Sequence, residues 1–307
     1  MAASGAAAPV ILFLGMVQRL TREARGDSRE GRGGLVIAAI APHGGMVIDE
    51  LCPPDLTDRV KAVRVAMEEM GHRFAAAAPR TIVVVTPHHV HVPGAIAVAT
   101  ASAAAGEIEE NHRRVRLRCP IDRRLADTML TTLRLAGVSA VGVGVDPEAE
   151  AAGADLPMDW GTLVPLWFLA RDEPAPEVVI VSPSPELPPS EHVRAGAAIA
   201  RAAAVHGHPV ALVASADQGH AHDPGGPYGF HPASREYDQL VVRLVEQDRL
   251  GALLLLDPAM VERAKADSWL QLLMLHGALG PGWRGRLLAY DVPTYFGMLC
   301  ALYEPIP

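Results

Sequence analysis

Seven of the 13 histidines fall in three short segments. They are Ala41-Pro42-His43-Gly44-Gly45, Thr86-Pro87-His88-His89-Val90-His91, and the stretch from Asp217-Gln218-Gly219-His220-Ala221-His222 on to His231. Imidazole is a ligand for Fe, Zn, Cu and Ni, so three such clusters brought together would make a metal site. Carboxylates are at hand in two places. Asp217 closes the third β-branched run, and Glu236 stands in Ser234-Arg235-Glu236-Tyr237-Asp238 at the start of a predicted helix. A glutamate there also suits the helix macrodipole, which is its plain structural reading. The Gly-rich segment Asp223–His231 could equally fold that helix start back over the strand ends. Two histidines and one carboxylate leave open positions on an ion, the facial arrangement of non-haem Fe(II) oxygenases. A zinc-bound hydroxide in a hydrolase is the rival chemistry, with only the histidines and Asp217 behind it.

Other chemistries find no support. Gly44-Gly45 and Gly225-Gly226 are not followed by Gly-Lys-Ser/Thr, and neither forms a Gly-x-Gly-x-x-Gly turn. No Gly-x-Ser-x-Gly elbow surrounds Ser215. Cys52, Cys119 and Cys300 are too scattered for a disulfide framework or a zinc knuckle, and they fit a reducing cytosol. The net charge of −8 argues against nucleic acid as a partner. The apolar run Pro9–Met16 is far short of the roughly 20 residues of a membrane span, so no membrane partner is expected.

The histidines must be positioned by the runs that precede them. Leu35–Ala41, Thr81–Thr86, Ala95–Thr100, Val138–Val143, Val178–Ser182, Val210–Ser215 and Arg286–Tyr290 read as strands. Several are continuous apolar runs, as in strands buried on both faces. Helices are predicted over Leu56–Phe74, Asp122–Ala136, Gly161–Ala170, Ser190–Val205, Ser234–Asp248 and Asp267–Leu279. Arg113–Arg118 alternates and suits an antiparallel edge. This order points to an α/β fold: a single domain over 35–307, with a central mostly parallel sheet flanked by helices on both faces. Residues 1–34 read as a poorly ordered leader. Ligands of such sheets bind beyond the carboxyl ends of the strands, where the histidines lie.

Taken together, these segments resemble the class III extradiol ring-cleavage dioxygenases, the superfamily of the protocatechuate 4,5-dioxygenase B subunit. Asp159-Trp160-Gly161-Thr162-Leu163-Val164-Pro165-Leu166, Arg235-Glu236-Tyr237-Asp238 and Leu287-Leu288-Ala289-Tyr290-Asp291-Val292-Pro293 carry the likeness further along the chain. The resemblance implies an Fe(II) cofactor held by His43, His88 and Glu236, with zinc or another divalent metal as purified. It implies a catechol or aminophenol ring opened by O₂, a small aromatic substrate and O₂ as partners, and a homo-oligomer. Where the family has Asp-His-Gly, this chain has Asp159-Trp160-Gly161. Indole cannot titrate near neutral pH, so the family's acid/base role passes to His220 first and His89 next, with Trp160 as a pocket wall. The chain also resembles the Memo-like proteins through Ala41-Pro42-His43-Gly44-Gly45 and Pro87-His88-His89-Val90. That likeness implies His220 as the third ligand instead, and a metal-binding protein without dioxygenase turnover.

Overall fold

The computed structural model describes residues 33–170 and 175–306. The expected leader therefore lies outside the described residues, apart from its last two positions. Gly34 already opens the first strand.

The strands are β1 (Gly34–Ala41), β2 (Thr81–Val85), β3 (Ile96–Ala99), β4 (Ala103–Glu110), β5 (Arg113–Pro120), β6 (Ala140–Val143), β7 (Leu156–Pro157), β8 (Glu177–Ser182), β9 (Pro209–Ser215), β10 (Trp283–Asp291) and β11 (Met298–Pro305). The helices are α1 (Thr57–Ala77), α2 (Arg123–Leu135), α3 (Pro147–Ala151), α4 (Trp160–Leu169), α5 (Pro189–His206), α6 (Pro232–Glu246), α7 (Pro258–Ala264) and α8 (Trp269–Ala278). Among the described residues no helix is long and apolar enough to cross a membrane.

Eight strands form one sheet in the order β10-β11-β1-β9-β2-β8-β3-β6. The central run β1-β9-β2-β8 is parallel throughout. Its strands are rich in β-branched residues because both faces are covered. β1 shows the division by alternation: Ala38 and Ile40 join one core with α2, α5, α6 and α8, while Ile37, Ala39 and Ala41 join the other with α1 and α4. The expected architecture is thus present.

One strand of the smaller sheet carries no clear sequence signal. β4 is Ala-Ala-Ala-Gly-Glu-Ile-Glu-Glu, poor in strand-forming residues, and β5 pairs with it at all eight positions. β5 is antiparallel as expected, but it belongs to a second sheet, β5-β4-β7, and not to an edge of the large one.

The register of the central strands positions the site. Ala41 pairs with Ser215, and Val85 with Ala214, so β1, β9 and β2 end at one level. His43 lies two residues beyond β1, Asp217 two beyond β9 and His88 three beyond β2. Three adjacent strands therefore deliver three functional side chains to one place.

Candidate metal centre and cleft

His43 is buried and held at three points. Its backbone N–H donates to Asp217 Oδ1 at 3.1 Å, and its Nδ1 lies 2.9 Å from Ser215 Oγ. Ser215 spends its own hydrogen on the Gly161 carbonyl, so its oxygen accepts from His43 Nδ1–H. This fixes the tautomer and leaves the Nε2 lone pair for another partner. Nε2 faces His88 Nε2 at 3.1 Å and Asp267 Oδ2 at 3.2 Å. The third edge, His88 Nε2 to Asp267 Oδ2, is 3.3 Å.

His88 is held by its own supports. Its N–H donates to Thr86 Oγ1, whose hydroxyl donates to Asp159 Oδ1 at 2.8 Å. Asp159 in turn caps α4 by accepting from the Thr162 N–H at 3.0 Å. Trp160 stacks on the His88 ring, with centroids 4.3 Å apart and planes 28° apart. Gly161 is required behind it: a Cβ there would meet Thr86 Oγ1 at 2.5 Å.

His43, His88 and Asp267 form a group that could hold a metal ion. Three donors about 2.0 Å from one ion at tetrahedral angles stand roughly 3.3 Å apart, close to the edges of this triangle. Two further observations fit a cation. Asp267 Oδ1 is buried with no hydrogen-bond partner among the described residues. And the electrostatics call for positive charge at the centre. Burial would lower the His43 pKa, but Asp217 and Asp267 raise it to about 9. Burial would raise Asp267, but His43 and hydrogen bonds from His43 and His88 hold it well below the usual carboxylate range. Asp217 goes up, because burial outweighs the attraction of His43. A divalent ion would supply the charge that a proton on His43 otherwise provides.

The structure does not bring Glu236 to this group. The inward stripe of α6 carries Ala233, Ser234, Tyr237, Asp238 and Val241, which leaves Glu236 exposed with Arg235 on the opposite side. The inward carboxylate is Asp238. It accepts from the Gly219 N–H at 2.7 Å and from the Tyr290 hydroxyl at 2.7 Å, and it lies 2.8 Å from His222 Nε2. Its work is to hold the loop that carries His220. The carboxylate at the centre is Asp267, from the turn between α7 and α8. In sequence it sits just before a helix, where a carboxylate reads as a cap, and that masks it. The helix starts two residues later, at Trp269.

A cleft of about 730 Å³ opens in front of His43 and His88. Asp217, His220, Trp160, Tyr228, Tyr295 and Phe296 are among its walls. The His220 Nδ1–H donates to the Gln218 carbonyl at 2.8 Å, which leaves Nε2 able to accept a proton. Its ring lies parallel to Phe296, with centroids 5.2 Å apart. His220 is not in that group of three. His89 is not in the cleft wall, and its Nε2–H donates to the Pro157 carbonyl at 3.0 Å. His91 pairs with Glu186, and His231 caps α6 by accepting from the Ala233 N–H.

Comparison with known proteins bears on the fold and the family. A solved structure, uncharacterized protein JW3007 from Escherichia coli K12, has the same fold with a TM-score of 0.55. The match covers 87% of this chain and 99% of that one at 16% identity. Protein CA_C1420 of Clostridium acetobutylicum is 22% identical over 254 residues, 82% of this chain. The chain spans about half the length of that relative (54%). Residues 37–299 match the family described as the catalytic LigB subunit of aromatic ring-opening dioxygenase. With strand ends, paired histidines and cleft all inside that span, the chain belongs to the LigB family of aromatic ring-opening dioxygenase subunits.

Proposed function

We propose that the protein is a non-haem Fe(II)-dependent extradiol-type dioxygenase that opens a catechol or aminophenol ring with O₂. His43, His88 and Asp267 hold the ion, with Asp267 in the role expected of Glu236. The triangle of 3.1, 3.2 and 3.3 Å edges carries this reading, since it leaves a cation exposed to the cleft on one side. Fe(II) there supplies Lewis acidity toward a phenol oxygen and open positions for both reactants. The side chains do the rest. Trp160, Tyr228 and Phe296 offer faces to an aromatic ring. Asp217 and Ser215 keep His43 aimed at the centre. His220 Nε2 takes the proton of a substrate hydroxyl and returns it later, the work that Trp160 cannot do. The free cysteines fit a reducing cytosol as the place of action.

The test is anaerobic loading with Fe(II), then O₂ uptake with a panel of catechols and aminophenols. Uptake with formation of a ring-opened product is expected, and His220→Gln is expected to lower kcat by about 10²–10⁴-fold. Tight metal binding with no uptake on any ring would overturn the dioxygenase reading. It would leave a metal-binding protein without turnover.

A further inference from the structure

Apart from the histidines at the centre, the charged groups that line the cleft are carboxylates. Glu107, Glu109, Glu110, Asp159 and Asp217 line it, and no lysine or arginine does. Two of the glutamates are already paired: Glu107 with Arg116 at 2.8 Å, and Glu109 with Arg114. The Glu110 side chain has no hydrogen bond or ion pair among the described residues, although it is half-buried. It sits directly over the turn that follows His43: a Cβ on Gly45 would lie 2.6 Å from Glu110 Oε1. Around it the walls are apolar, from Ile108, Met158, Trp160 and Phe296.

A half-buried carboxylate without a cation carries a desolvation cost that nothing in the fold offsets. A ligand ammonium would offset it. Away from the central histidines and their ion, a ligand carboxylate would meet acidic groups and no lysine or arginine. We infer that the cleft selects an aromatic diol or aminophenol whose side chain ends in an ammonium and bears no carboxylate, and that Glu110 recognises that ammonium. The inference rests on the dioxygenase reading for the aromatic part and on Glu110 for the side chain.

The experiment measures binding without turnover, by titration calorimetry on the Fe(II)-loaded protein under argon. Three probes of similar size are compared: 4-(2-aminoethyl)catechol, 4-ethylcatechol and 3-(3,4-dihydroxyphenyl)propanoate. The amine is expected to bind about tenfold or more tightly than 4-ethylcatechol, and the carboxylate more weakly than either, a difference of about 1.4 kcal/mol per tenfold step. Glu110→Gln is expected to bring the amine down to the level of 4-ethylcatechol, while Glu107→Gln, whose carboxylate the arginines hold, keeps the preference. Equal binding of the three probes, or an amine preference that survives Glu110→Gln, overturns the inference. Amine preference lost in Glu110→Gln, with no O₂ uptake on any probe, supports the inference and removes the dioxygenase chemistry instead.

Discussion

Ser215 decides where the hydrogen of His43 lies, and with it whether the ring can accept a cation. Ser215→Ala is therefore expected to weaken divalent metal binding by about 10–100-fold, read by competitive titration against a chelator. Asp267→Ala is expected to weaken it further, and Glu236→Ala to leave it unchanged. A Glu236→Ala protein that loses its metal would return the third-ligand role to α6. At this scale the sequence is legible in part. His43, His88 and His220 stand out because each follows a β-branched run, and strand ends are where such sheets place ligands. Asp267 does not stand out, because neither strand nor histidine precedes it. Its position depends on how two helices turn in space, whereas Glu236 attracts attention by following a Gly-rich loop and standing in a resembling motif.

Helix packing carries the same lesson one level up. α5 and α8 touch through glycines on both sides: a Cβ on Gly196 would lie 1.8 Å from the Met274 carbonyl oxygen, and one on Gly277 1.9 Å from that of Val193. Backbone cannot yield there, so Gly277→Ala is expected to destabilise the protein by about 1–3 kcal/mol or more in a denaturant melt. Gly280→Ala, with nothing within 4 Å of the added carbon, is the control. Because Asp267 precedes α8 by two residues, Gly277→Ala is expected to loosen the metal as well. The buried strands and amphipathic helices are legible from periodicity. β4 is not, since alanine and glutamate form a strand only because β5 supplies its partners. β11 is likewise set by its neighbours, between β10 and β1.

For the molecule as a whole, one buried histidine far from the cleft contributes to the response to acid. His192 is fully buried in α5; its Nδ1–H donates to the Pro188 carbonyl at 3.2 Å, and its Nε2 has no partner among the described residues. Burial holds its pKa below the ordinary value, partly offset by backbone carbonyls. In the unfolded chain the ring titrates near 6.5. The unfolded state therefore takes up a proton that the folded state refuses, and stability is lost as pH falls through about 6.5. The slope of unfolding free energy between pH 7 and pH 5 is expected to be smaller in His192→Asn, which keeps a donor toward Pro188; an unchanged slope would clear His192 of the effect. A last consequence follows from the two sheets. His43 and His88 of the candidate metal centre follow β1 and β2, and Asp267 lies between α7 and α8, while Glu107 to Glu110 belong to β4 of the smaller sheet. Descent with modification can thus redraft one hairpin and change which guest is welcomed, and still hand down the candidate metal centre intact.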